Sequence, residues 1–128
     1  MMSNLPKHLF VSCDGSLYDT RLDNWADPKN AVRSEYSRSY REITNCNQLK
    51  ATIRAGRFAW PGGYPMFFHT SDGGSLSFES ARYELSNILH SIKTVSNDGW
   101  RVVGCEINYE DNNLLCDHSG NSIESAYN

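Results

Sequence analysis

The chain has 128 residues, enough for one compact domain and too few for two ordinary ones, so a single domain over residues 1–128 is expected. With 39% hydrophobic and 12% aromatic residues it can bury a core. The formal charge of −3 hides an uneven split: residues 1–58 carry nine Lys or Arg against six Asp or Glu, and residues 59–128 carry three against nine, which argues against the net basic field of a protein that wraps DNA or RNA.

The longest uncharged stretch of apolar character, Phe58 to Phe68, is interrupted by Pro61, Gly62, Gly63 and Pro65 and falls short of the roughly 20 apolar residues a membrane helix needs. Met1 to Lys7 holds one basic residue with no apolar core behind it, so no export signal is read and a cytoplasmic location is expected. Cys13, Cys46, Cys105 and Cys116 are scattered with no C-x-x-C pair, which fits reduced thiols. Cys13, Cys46 and Cys105 lie in apolar patterns, where free cysteine behaves as a small buried hydrophobe.

In chain order, Lys7 to Cys13 has strand composition, Asp14-Gly15 is a turn dipeptide and Ser16 to Asp19 returns, giving an N-terminal hairpin. Residues 23–34 read as a loop that tucks Trp25 inward. Tyr36, Arg38, Tyr40 and Glu42 alternate with Ser37, Ser39, Arg41 and Ile43, which predicts a strand with an aromatic-rich face. Asn45 or Asn47 caps a short helix with Cys46, Leu49 and Ile53 on one face and Lys50, Arg54 and Arg57 on the other, stopped by Gly56. From Phe58 to Pro65 the prolines forbid a regular ladder, so a shaped loop is expected, with Trp60 and Tyr64 held against the body.

Met66 to Thr70 and Ser75 to Ser77 predict two strands joined at Ser71-Asp72-Gly73-Gly74. Ser77 is then an N-cap with Glu79 in the first turn. Ala81, Leu85, Ile88, Leu89, Ile92 and Val95 form one apolar stripe over roughly four helical turns, ended by Asn97-Asp98-Gly99. Trp100 to Asn108 follows as a strand with Val103, Cys105 and Ile107 toward the helix, and Leu114-Leu115-Cys116 returns after a turn at Asp111-Asn112-Asn113. The sum is an α+β fold, an antiparallel sheet packed by one main helix.

Ser77-Phe78-Glu79-Ser80 and Cys116-Asp117-His118-Ser119-Gly120 have the spacing of zinc knuckles but lack most of the thiolates. Zinc takes four N, S or carboxylate ligands, and a serine hydroxyl does not replace a thiolate. Ser77, Ser80, Cys116 and Ser119 therefore read as vestigial ligand positions in a metal-free, zinc-ribbon-like C-terminal part, its turn held by backbone hydrogen bonds with Asp117 and His118 in solvent. A rescued metal site would need Cys116 and His118 with remote ligands such as His69 or Cys105. No metal and no cofactor are expected.

Nucleophilic catalysis needs a hydroxyl or thiolate beside a base and an orienting acid, and no local signature joins such a set. His8, His69 and His90 read as surface or satisfied residues and Glu110-Asp111 as a hydrophilic turn. Asp72-Gly73-Gly74 lacks a P-loop lysine and reads as a hairpin turn. The protein is expected not to be an enzyme.

The blocks Leu49 to Gly56, Ala59 to Pro65, Asn97 to Val103, Cys116 to Gly120 and Ile123 to Tyr127 resemble a group of small phage and prophage proteins, most distinctively in Ala59-Trp60-Pro61-Gly62-Gly63-Tyr64-Pro65 and Ile123-Glu124-Ser125-Ala126-Tyr127. Members of that group tend to carry C-x-x-C pairs where this chain has Ser77/Ser80 and Cys116/Ser119. The resemblance implies a phage origin, hence the cytoplasm of an infected bacterial host, and no established activity.

Three tryptophans and seven tyrosines supply rigid amphipathic anchors of the kind interfaces favour, and the acidic second half suits a basic partner. The leading expectation is a non-catalytic phage accessory protein that binds and inhibits a host defence complex. An anti-CRISPR or similar anti-defence role is the concrete form, with a CRISPR effector as target and Glu110, Asp111, Asp117, Trp60 and Tyr64 at the interface. One alternative is a nucleic-acid-binding module using Tyr36, Arg38, Tyr40, Arg41, Lys50, Arg54 and Arg57, where aromatics stack on bases. Another is a small-molecule-binding protein with the Trp60 to Tyr64 loop as a pocket wall.

Overall fold

The computed structural model describes residues 6–12, 15–59 and 62–126. Trp60, Pro61, Tyr127 and the Cys13-Asp14 part of the first turn lie outside the described residues. The expected N-terminal hairpin forms: β1 (Leu9–Val11) pairs antiparallel with β2 (Leu17–Asp19), Phe10 opposite Tyr18. Trp25 stands edge-on to both of those rings, 5.5 Å from Phe10 and 6.2 Å from Tyr18, which is the aromatic closure expected of the following loop.

Residues 36–42 do not form the expected strand. Arg38 N–H donates to Ala51 O and Tyr40 N–H donates to Thr52 Oγ1, so the segment is a strap along helix α1 (Cys46–Ala55) instead of a ladder partner. At its end the strap meets a sheet edge, where Glu42 faces Gly104 and Ile43 N–H donates to Val103 O. Helix α1 begins as expected. Asn45 accepts from Gln48 N–H while Gln48 Oε1 accepts from Thr44 N–H, a reciprocal cap that satisfies two backbone donors. Its Leu49, Ala51, Thr52 and Ile53 are buried, and Gly56 ends it at φ +97°.

The Phe58 to Pro65 region is more regular than the prolines suggest. β3 (Phe58–Ala59) pairs with the start of β4 (Tyr64–Thr70), Phe58 opposite Pro65. The bonds that close this ladder, Met66 N–H to Arg57 O and Gly63 N–H to Ala59 O, do not use the N–H that proline lacks. β4 also pairs antiparallel with β5 (Ser75–Leu76) and β6 (Val102–Ile107). Between His69 and Thr70 the β4–β6 register slips, with Gly104 opposite His69 and Val102 opposite Thr70, so Val103 is an extra residue. That bulge overturns the simple alternation: Val102 and Cys105 are buried, while Val103 and Ile107 are half-buried.

Ser77 caps a helix as expected, its Oγ accepting from Ser80 N–H at 3.1 Å. The single four-turn helix is instead two, α2 (Phe78–Tyr83) and α3 (Leu85–Thr94), broken at Glu84 with φ −100° and ψ 29°. The break falls where the Glu84 carboxylate is held by His118 and by Asn87. Ala81, Ile88 and Ile92 enter the core, Leu85 and Leu89 pack at its margin, and Val95 is exposed in a left-handed C-cap. Phe68 stacks on Phe78 at 4.3 Å in the centre of that core.

The tail returns as Leu115 opposite Ser122, with Gly120 N–H donating to Cys116 O and Cys116 N–H to Asn121 O. Buried Asn108 ties it down by donating from Nδ2 to Asp111 O, Ile123 O and Glu124 O. The fold is α+β, antiparallel sheets with three α-helices among the described residues. Among the described residues no helix is long and apolar enough to cross a membrane, and no group of three or more His, Cys, Asp or Glu is placed to hold a metal ion.

Candidate functional site

The positions singled out by knuckle spacing meet in space. Cys116 Sγ lies 3.2 Å from Ser80 Oγ and accepts from Ser77 N–H at 3.3 Å, and Ser119 hydrogen-bonds to the same sulfur through its hydroxyl and its backbone. Burial pushes the Cys116 thiol up, but the hydrogen bonds from Ser80, Ser119 and Ser77 outweigh it and bring it down to about 6. The remote residues proposed as rescuers are elsewhere. His69 pairs with Glu106 at 3.3 Å on β4–β6, and Cys105 lies against Met66, its thiol pushed up to about 12 by burial.

His118 is exposed, as expected of this turn, but its ring is hydrogen-bonded. Its Nδ1 lies 3.0 Å from Ser80 Oγ and its Nε2 lies 3.1 Å from Glu84 Oε2, so the turn at 116–120 is clamped to the break between α2 and α3. The order Ser80, His118, Glu84 has the composition of a hydrolytic triad. Ser80 is 4% exposed inside α2 and its Oγ is shared with the buried Cys116 sulfur, so no acyl group reaches it.

Beside this cluster an open cleft of about 410 Å³ runs between the β4–β5 turn, the segment before β6 and the 116–120 turn. Asp72, Asp98 and Asp117 line it together with Trp100 and His118. Each aspartate is anchored from behind. Asp72 accepts from Thr70 Oγ1 and Gly74 N–H, Asp98 from Ser91 Oγ and Trp100 N–H, and Asp117 from Ser75 N–H. The hydroxyl of Thr70 and then the Gly74 N–H hold Asp72 below the usual carboxylate range, and the hydroxyl of Ser91 and then the Trp100 N–H do the same for Asp98. All three are exposed, and none is in an ion pair among the described residues. One wall is aromatic: Trp100 and Tyr83 flank the His118 ring at 5.7 and 6.1 Å.

The acidic residues expected to act together are separated. Glu110 and Asp111 follow β6, near the Tyr64–Pro65 start of β4, where Asn108 N–H donates to Pro65 O. Asp117 lies toward the Thr70 end, where its carboxylate accepts from Ser75 N–H, and Ser75 is the residue opposite His69. Tyr64 belongs with the first group, its ring 5.9 Å from that of Tyr109, and Trp60 lies outside the described residues.

The alternative Tyr/Arg face is assembled but occupied by itself. Arg54 lies 4.2 Å from the Tyr36 ring centroid and donates to Tyr36 O, and Arg38 lies 5.2 Å from the Tyr40 centroid and 3.3 Å from Glu35. Tyr40 donates to Glu35, and Arg57 pairs with Glu79 at 2.8 Å over the Phe58 ring. Arg41 and Lys50 are in no ion pair among the described residues.

Reading the sequence missed Asp72, Asp98, Trp100 and Glu84 as site residues. A signal was present in the repeated dipeptides Asp72-Gly73 and Asp98-Gly99, which form two turns at the same end of the β4–β6 pair. No protein-family model matches the chain, and no curated protein or solved structure is similar to it.

Proposed function

We propose that the protein is a non-catalytic binding protein that docks a basic partner in the Asp72–Asp98–Asp117 cleft. The observation that carries this is a set of three anchored, exposed carboxylates without cationic partners among the described residues, beside the Trp100 ring. Fixed negative charge next to an aromatic wall suits a guanidinium or ammonium group, since the ring face and the carboxylates both attract it. The partner class is a protein surface rich in arginine and lysine, such as the nucleic-acid channel of a host defence complex, where occupation amounts to inhibition. Phage origin and an anti-defence role of the anti-CRISPR kind remain part of this proposal, supported by the sequence blocks named above.

The 116–122 turn is, in the same reading, a zinc-knuckle shape in which serine donors around Cys116 take the place of a metal. The Tyr/Arg face has less support as a nucleic-acid platform, because its arginines already cover its own tyrosines. Base stacking there would require those contacts to open.

The test keeps the anchors and removes the charge. In Asp72→Asn, Asp98→Asn and Asp117→Asn the acceptor oxygen is retained, so the triple variant should fold normally. It should lose retention of an arginine-rich protein bait by tenfold or more, and added salt should weaken the native protein in the same direction. Unchanged retention of the bait in the triple variant would overturn this reading, and DNA or RNA retention lost on Arg38→Ala plus Arg41→Ala would favour the Tyr/Arg face instead.

A further inference from the structure

A second open cavity, of about 340 Å³, lies at the start of α1. Arg33, Glu35 and Tyr40 line it from the strap and the segment before it, and Asn45, Asn47 and Gln48 line it from the helix. None of these residues belongs to the aspartate cleft. Most of its side-chain acceptors are already spent within the fold. Tyr40 donates to Glu35 Oε1, and Arg38 lies 3.3 Å from Glu35 Oε2. Gln48 Oε1 accepts from Thr44 N–H at 2.7 Å and from Thr44 Oγ1 at 3.0 Å, and Asn45 Oδ1 accepts from Gln48 N–H at 2.9 Å.

The donors are not spent. Among the described residues, the side-chain N–H groups of Asn45 and Gln48 and the Asn47 carboxamide make no hydrogen bond, and Arg33 is in no ion pair. The Arg33 guanidinium stands 6.0 Å from the centroid of the Tyr36 ring, which Arg54 already covers at 4.2 Å. Burial chiefly, and also the like charge of Arg33, push the Arg54 guanidinium below its usual range. Arg33 therefore has a cation for a neighbour and no counterion among the described residues, and an anion seated against it would relieve that repulsion. The first turn of α1 carries no acidic side chain, so the positive end of the helix adds to the same local field.

We propose that this cavity binds a small phosphate monoester, a sugar phosphate or a mononucleotide, with Arg33 on the phosphoryl oxygens and Asn45, Asn47 and Gln48 donating to the rest of the ligand. Unspent donors with few acceptors select a ligand rich in acceptor oxygens. A carboxylate accepts in one plane, whereas a phosphoryl group offers three oxygens in a tetrahedral array, which suits a guanidinium on one wall and carboxamides on the other. The volume is at the lower end of small-molecule sites and exceeds what a lone phosphate ion fills. A net charge of −3 disfavours a long polyanion, while a single monoester needs only the local positive field.

The experiment titrates the full-length protein at low salt with AMP and with ribose 5-phosphate and follows backbone amide chemical shifts, with adenosine as the phosphate-free control. At least one of the two monoesters should bind with a dissociation constant below about 1 mM, moving the amides of Arg33, Asn45 and Asn47. Adenosine should bind weaker than AMP by about tenfold or more. Arg33→Gln should weaken the bound monoester by about tenfold or more, and Arg33→Lys should recover part of the loss. Asn47→Asp is a variant whose fold is not at stake. A carboxylate in the first turn of α1 is favoured by the helix dipole, so Tm should hold or rise while the monoester is repelled and its binding lost. Four results would overturn the proposal: no shift with either monoester at about 10 mM, adenosine binding as tightly as AMP, binding indifferent to Arg33→Gln and Asn47→Asp, or a 5′-phosphorylated oligonucleotide binding more tightly than AMP.

Discussion

The two charged faces of this molecule treat their charges in opposite ways. Along the strap and α1, arginines lie over the protein's own rings and glutamates: Arg54 on Tyr36, Arg38 on Tyr40 and Glu35, Arg57 on Phe58 and Glu79. In the cleft, carboxylates are pinned by backbone N–H groups and hydroxyls, which fix their position without neutralising them. Hydrogen bonds from neutral donors leave the net charge in place, whereas ion pairs cancel it at long range.

Both faces rest on one core, so the largest loss is expected beneath them. Ile88, 0% exposed, should cost about 2–5 kcal/mol as Ile88→Ala in urea unfolding. Leu89→Ala should cost clearly less, because Leu89 packs only at the core margin. Equal losses would mean that the α3 stripe sits one residue away from where Ile88 and Ile92 place it.

Helix α1, the N-terminal hairpin and the Ser77 cap were legible because each is local: a cap hydrogen bond, a turn dipeptide or an apolar spacing sets it. The break at Glu84 was not, because the partner that takes its carboxylate, His118, is 34 residues away. The strap escaped for a related reason. Alternating Tyr and Arg imitate a pleated strand, but here the alternation pairs cations with rings, and the backbone bonds go to Ala51 and Thr52 on the helix. Ser77 and Ser80, given as knuckle positions with Cys116, both lie against the Cys116 sulfur, because the 116–120 turn packs on the start of α2. The carboxylates opposite were hidden inside ordinary Asp-Gly turns.

The joint between the faces can be broken at Gly104. A Cβ there would stand 2.7 Å from Arg41 O in the strap and 2.4 Å from His69 Nε2 on β4, so Gly104→Ala should cost about 1–3 kcal/mol. Hydrogen exchange should show the strap opening before the cleft. Arg54→Ala separates the faces more gently. It removes the bond to Tyr36 O and the cation over the ring, worth about 1–2 kcal/mol together, and should leave the cleft variants' binding behaviour unchanged.

Acid should act on the cleft face through Asp98 and Asp72. Asp98 and Asp72 are held below the usual carboxylate range, so each contributes stability that is present above its unfolded value, near 4, and is lost as pH falls through its lower folded value. Unfolding free energy measured across that acidic window should fall with a steeper slope for the native protein than for Asp98→Asn, which keeps the acceptor for Ser91 and Trp100 but cannot titrate. Identical slopes would show that the Asp98 carboxylate is not ionised and anchored as described.

The smallest expected effect is a gain, and it sharpens every comparison above. Val95 ends α3 at φ 53° and ψ 47°, a left-handed conformation that a β-branched residue adopts only at a cost, and its side chain is 70% exposed. Little packing is lost if that side chain is removed, and glycine occupies the same backbone region freely, as a residue beyond a helix C-terminus usually must. Val95→Gly should therefore raise stability by about 0.5–1 kcal/mol, read as a higher urea midpoint at unchanged m-value. The gain should be the same in the Arg54→Ala background and should couple to Asp98→Asn, since Val95 N–H bonds back to Ser91 O as well as Ile92 O and Ser91 Oγ donates to Asp98. A loss on Val95→Gly would mean that the exposed valine packs against something its surroundings do not reveal, and that α3 does not end in the left-handed turn at all.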